Sequence, residues 1–235
     1  MAEVLVKEND DGMEKRHLGV NAALAAYILW GLLGVFWELL SVVPALDTLA
    51  YRIVFSLITI GIVLTVQKDW GTIWQTIKQL IKSRKIFWII LSSYLISLNW
   101  FIYIYMVTHH EATEASLGYY IMPLMNVIIA LVFLHEKLSR SKIIALLLVI
   151  IGVVILTFQT GSLPLNTLLM AGSFCFYGLI KKQVQLPATI SLTLETFFVA
   201  PIAIIYLLLS PHVITQNGLG VSTLLVLSGV ITVIP

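Results

Sequence analysis

The chain has 235 residues, 59% of them hydrophobic and only 11% charged, with a formal net charge of +2. Soluble domains carry about 25% charged residues, so this balance excludes an ordinary soluble core and fits a polytopic helical membrane protein. The single cysteine, Cys175, excludes an intramolecular disulfide, and the lack of a CxxC pair, an HExxH motif, a P-loop or a dinucleotide fingerprint gives no sign of an ATP motor, a metal centre or a soluble-type catalytic centre.

Residues 1–17 are hydrophilic and mixed in charge, and are expected to form a cytoplasmic tail. They do not resemble a cleaved signal peptide, because the apolar run behind them is too long and lacks a cleavage site. Apolar runs then predict membrane spans at 18–40, 46–66, 86–107, 113–134, 141–159, 163–180 and 189–209. An eighth starts near Leu219 and is still running at Pro235. The expected fold class is all-α, with about seven and a half spans present.

The basic residues set the orientation. Lys7, Lys15 and Arg16 lie in the tail, and Lys68, Lys78, Lys82, Arg84 and Lys85 lie between spans two and three. Lys137, Arg140 and Lys142 follow span four, and Lys181 and Lys182 follow span six. The alternate connections carry no Lys or Arg, so every basic residue except Arg52 falls on one side. The positive-inside rule makes that side, and the N-terminus, cytoplasmic. Between spans two and three, Trp70, Ile73, Trp74, Ile77, Leu80 and Ile81 share one helical face opposite Gln75, Lys78, Gln79 and Lys82. This pattern predicts a short amphipathic helix on the cytoplasmic membrane surface.

Span four, about 113–134, has two distinct faces. Ser116, Tyr119, Tyr120, Pro123, Asn126 and Ala130 recur at helical spacing, and Leu117, Ile121, Leu124, Ile128 and Leu131 form the opposite stripe. A helix lying wholly in lipid needs no polar face with a proline in it, so this face is expected to meet other helices or a wet cavity.

The chain also repeats itself. Ala25-Ala26-Tyr27-Ile28-Leu29-Trp30-Gly31-Leu32 in span one matches Gly172-Ser173-Phe174-Cys175-Phe176-Tyr177-Gly178-Leu179 in span six, and Thr48-Leu49 matches Thr193-Leu194 near the start of the next span in each half. A five-helix unit followed by its copy has inverted topology, because five is odd. Inverted repeats mark secondary transporters, whose substrate site lies near the midplane between repeats. The expected organisation is a first five-helix repeat over 18–159 and an incomplete second repeat over 160–235, out of a ten-helix 5+5 architecture. The sequence therefore reads as C-terminally truncated, with the counterparts of spans four and five missing.

EASLGYYIMPLMN at 114–126, LHEKLSRSK at 134–142 and ALLLVIIGVVIL at 145–156 resemble the EamA module of the drug/metabolite transporter superfamily. Asn99-Trp100, His109-His110, GSLP at 161–164, FYGLIKK at 176–182 and LET at 194–196 are similar to the RarD-type permeases, the chloramphenicol-sensitivity group. The resemblance implies ten helices in two EamA repeats in a bacterial inner membrane. It also implies export of small metabolites or drugs, by exchange or proton coupling.

Several residues are candidates to carry transport. Asn99, Trp100 and Tyr103 of span three and Pro123 and Asn126 of span four lie near mid-depth, where amides and aromatics suit a small amphipathic molecule. Ser116, Tyr119 and the repeat-related Trp30 and Tyr177 complete the expected pathway. Interhelical hydrogen bonding and packing are the alternative role for each. Arg52, buried in an apolar span, needs a partner or water. Glu38, Asp47, Glu111 and Glu114 lie near the same outer side, which predicts a salt bridge there, a gate, or a clamp on an anionic substrate. Glu195 has no basic partner at its depth and is expected to be protonated or hydrated in an inward-opening cavity, as a proton-coupling carboxyl or one hydrogen-bonded to a neighbouring helix. His109 and His110 are expected to be solvated at the outer interface. The expected partners are the lipid bilayer, a small-molecule substrate, a coupled proton or exchanged solute, and a second copy in a homodimer. No cofactor, metal or nucleic acid is expected. The competing reading is a truncated, non-transporting membrane protein or scaffold.

Overall fold

A computed structural model describes residues 19–20, 24–25, 28–29, 31–134, 139–160, 164–211, 214–216 and 218–233. These residues are almost entirely helical. The elements are α1 (31–38), α2 (Ala45–Gln67), α3 (Trp70–Lys82), α4 (Ile86–Thr108) and α5 (Ala112–Leu134), followed by α6 (Arg140–Thr160), α7 (Leu165–Val184), α8 (Ala188–Leu209) and α9 (Gly218–Val233). Pro44, Pro164 and Pro187 stand immediately before α2, α7 and α8, where a fixed φ and a missing N–H suit a helix start. Lys68 and Gln185 close α2 and α7 in the left-handed conformation, with φ of 58° and 54°.

At 23 residues, α2 and α4 are each about 34 Å long, enough for a hydrocarbon core of about 30 Å. Together with α8 they are long and apolar enough to cross a membrane. The bounds follow the expected spans closely, with one consequential difference. α7 continues past residue 180 to Val184, so Lys181 and Lys182 sit in its last turn instead of a loop.

Polar side chains are gathered inside among an apolar core, and large apolar side chains cover the outside. Ile58, Ile62 and Val66 of α2 and Ile202, Ile205, Leu208 and Leu209 of α8 are exposed, whereas Arg52, Ser56, Ser97, Asn99, Ser173, Thr193 and Glu195 are buried. In lipid such an exterior costs nothing, and helix association relies on close packing and interhelical hydrogen bonds. The chain is a polytopic helical membrane protein.

α2 packs against α8 and α9, α4 against α7 and α8, and α5 against α7. Ser210 Oγ donates to Asp47 Oδ1 at 3.2 Å, tying the end of α8 to the start of α2. Lys85 Nζ donates to the Gln183 carbonyl at 3.2 Å, tying the start of α4 to the end of α7. α2 and α9 meet closely at Gly229. A Cβ there would lie 2.5 Å from the Phe55 carbonyl carbon and the Ser56 nitrogen, so only glycine fits. Ser56 Oγ donates to the Gly229 carbonyl at 3.1 Å across the same contact.

The amphipathic α3 divides its apolar face. Ile73 and Leu80 are buried in a cluster with Ile60, Leu64 and Ile89, while Trp70, Trp74 and Ile81 remain exposed, as a helix anchored at an interface requires.

Candidate functional site

Two polar centres lie inside the bundle, one around Arg52 and one around Glu195. Arg52 sits two turns into α2 and is 8% exposed. Its guanidinium carbon lies 4.1 Å from the Trp100 ring centroid and 5.0 Å from that of Trp37, both within cation–π range. Nε donates to Thr232 Oγ1 of α9 at 2.8 Å. The ring of Tyr103 stands edge-on to that of Tyr119, with centroids 5.8 Å apart, and the Tyr103 hydroxyl lies against Gly34. One cation thus gathers side chains from α1, α4 and α9, next to a tyrosine pair bridging α4 and α5.

The expected outer-side salt bridge of Arg52 is not formed. Among the described residues no carboxylate lies within ion-pair distance of it. Glu38 instead faces His110 Nδ1 at 3.1 Å, just past the end of α4, where His110 takes φ 63°. Asn166 Nδ2 donates to Glu111 Oε2 at 3.4 Å. Glu114 is half-buried near the start of α5, where its backbone carbonyl accepts from Thr167 Oγ1 at 3.2 Å. The carboxylates of Glu38, Asp47 and Glu111 are thus engaged at the ends of helices.

Glu195 is 3% exposed and, against expectation, has a basic partner. Lys181 Nζ lies 3.3 Å from Glu195 Oε1. The extra turn of α7 carries Lys181 back over the start of α8. Lys181 also donates to Ser191 Oγ, which in turn donates to Glu195 Oε1 at 2.9 Å. Tyr177 Oη donates to Glu195 Oε2 at 3.2 Å, and Lys181 Nζ stands 5.4 Å from the Tyr177 ring centroid. Both carboxylate oxygens are therefore satisfied by groups that could pass a proton or hold a charge.

The remaining candidates separate into structural and open positions. Asn99, 3% exposed, donates from Nδ2 to the Met170 carbonyl at 2.8 Å and so bridges α4 and α7. Ser116, Tyr119, Pro123 and Asn126 lie on the exposed face of α5, while its buried face, with Ala115, Ile121, Met122 and Ile129, packs toward α7. Trp30 lies outside the described residues. Among the described residues no group of three or more His, Cys, Asp or Glu could hold a metal.

Sequence reasoning missed Trp37, Thr232, Lys181 and Ser191. Ser191 carried a signal, since it precedes Glu195 by one helical turn. Thr232 carried none, being 180 residues from Arg52.

The geometry is matched by relatedness. The EamA-like transporter family model matches residues 17–158. The uncharacterized transporter YojE of Bacillus subtilis is 46% identical over 220 residues, covering 92% of this chain and 74% of that protein. Protein RarD of Salmonella typhi is 37% identical and Protein RarD of Escherichia coli 36% identical, each over 222 residues with the same coverage. No solved structure matches the chain. An apolar helical bundle that buries polar side chains, a family match over more than half its length and relatives of this identity lead to one conclusion: the chain belongs to the EamA-like transporter family and is a RarD-like permease.

Proposed function

We propose that the chain is a secondary-active permease that exports small metabolites or drugs across a bacterial inner membrane, with its N-terminus in the cytoplasm. It works by alternating access between two inverted five-helix repeats. The observation that carries this reading is the burial of Arg52, Asn99 and Glu195 inside apolar spans, at a cost that only structure or function repays. Helix packing supports the repeat. The repeat equates α2 with α8 and α4 with α9. Under that exchange the packing of α2 on α9 becomes the packing of α8 on α4, and both occur, and α2 on α8 maps onto itself, while α2 on α4 has no comparable counterpart between α8 and α9.

A contact between Glu38 and His110 joins α1 to the end of α4, and the Glu195–Lys181 ion pair joins α7 to α8. The second is the coupling site. Protonation of Glu195 removes the attraction to Lys181 and loosens the start of α8 from the end of α7, which opens the cytoplasmic side. The exposed face of α5, with Ser116, Tyr119, Pro123 and Asn126, lines the path.

The test is an untargeted metabolite comparison of a strain lacking the gene with the same strain complemented. A small set of compounds is expected to accumulate inside the deletion cells and to appear in the medium on complementation. Identical intracellular and extracellular profiles would contradict the proposal.

A further inference from the structure

We infer that Arg52 and the rings around it form a binding site for a small organic anion, specifically a carboxylate carried on a flat apolar group. The inference deepens the transport reading and rests on it for the fate of the bound molecule.

Arginine offers five N–H donors in a planar fork, and it does not give up its charge. Here only the Nε donor is used, by Thr232. Among the described residues neither Nη nitrogen has an acceptor within hydrogen-bonding distance. A charge at this depth is compensated by an anion, by water or by aromatic faces. The protein supplies the faces of Trp37 and Trp100 and one hydroxyl. The carboxylates at the outer helix ends have other partners: Glu38 faces His110, Glu111 accepts from Asn166 and Asp47 accepts from Ser210. What is left is a bidentate fork that fits two oxygens of one carboxylate, which is the pairing guanidinium geometry favours.

The surroundings set the rest of the ligand. Trp100, half-buried, and Tyr103 share α4, and Tyr103 meets Tyr119, which is 44% exposed on the open face of α5. A flat apolar group would pass along these rings toward the fork and stack there. A bare inorganic anion would gain the fork alone.

The full chain, purified in detergent, is titrated with benzoate and with its neutral counterpart benzamide while tryptophan fluorescence is followed, since Trp37 and Trp100 flank the fork. Benzoate is expected to bind saturably and at least about tenfold more tightly than benzamide, as charge-assisted hydrogen bonds require. Arg52→Gln should erase that preference, and Arg52→Lys should keep it in weakened form. Equal affinity for the two probes in the unmodified chain would overturn the inference without any variant, as would a preference for benzoate that survives Arg52→Gln. Inorganic phosphate that competes as well as benzoate would overturn the carboxylate assignment. The two readings fail separately. Benzoate binding with no flux of any solute in proteoliposomes removes the permease and leaves the site. Flux without benzoate binding removes the site and leaves the permease.

Discussion

The Arg52 guanidinium carbon lies 4.1 Å above the Trp100 ring, so a cation in α2 is held by an aromatic face in α4. The contact joins two membrane-spanning helices through a charge that lipid alone would not tolerate. Replacing Trp100 by leucine should cost about 1–2 kcal/mol through the lost cation–π contact, and Trp100→Phe should cost less. Thermal unfolding in detergent, followed by circular dichroism, measures both. Equal melting temperatures for the leucine and phenylalanine variants would show that the ring face contributes nothing.

Gly229 and Gly178 make a matched pair. At Gly229 a methyl group would meet the backbone of α2, whereas at Gly178 nothing lies within 4 Å. Gly229→Ala should therefore destabilise by about 1–3 kcal/mol through overpacking. Gly178→Ala should be neutral or stabilising by up to about 1 kcal/mol, as helix propensity dictates. The same melts compare them, and a Gly229→Ala protein as stable as the parent would mean that α2 and α9 do not meet there.

Asn99 gives a smaller effect. Its bond to the Met170 carbonyl ties α4 to α7, and interhelical bonds in membranes are worth about 0.6 kcal/mol on average. Asn99→Ala should lower stability by about that much. A loss of transport with no change in melting would instead make Asn99 a contact for the substrate.

Glu195→Gln leaves Lys181 facing a neutral amide at the end of α7. The pair is partly open to solvent on the lysine side, so the stability cost should be about 1–2 kcal/mol, below that of a fully buried pair. Lys181→Met combined with Glu195→Gln should cost less than the sum of the two single changes, because each single change strands a charge or a polar group. In proteoliposomes carrying a transported metabolite, Glu195→Gln should flatten the dependence of flux on pH. A pH profile identical to the parent's would remove Glu195 from coupling.

Most of the fold was legible in the sequence because two strong signals agree. Apolar runs must reach span length to cross a bilayer, and basic residues must gather on one side, so the expected and observed helices match within a few residues. The exception is the end of α7. Lys181 and Lys182 read as a loop because charge is unfavourable in lipid, yet the helix carries them for one more turn and Lys181 finds Glu195. The Arg52 site was half legible. Its depth and its need for a partner followed from the sequence, and Trp100 and Tyr103 stood among the mid-depth residues. The nature of the partner did not, because Trp37 depends on the rotation of the neighbouring span and Thr232 comes from one 180 residues away. The carboxylates expected on the same outer side as Arg52 are committed elsewhere, Glu38 to His110 and Glu111 to Asn166.

The claim that the exposed face of α5 lines an alternating pathway meets its most direct test in labelling from each side of the membrane. Asn126→Cys is placed in a Cys175→Ser background, where serine can keep the donor that Cys175 gives to the Met122 carbonyl. Membrane-impermeant maleimide is then applied to right-side-out and inside-out vesicles. Alternating access predicts modification of residue 126 from both sides. Modification from neither side, or from one side only under every condition, would contradict it.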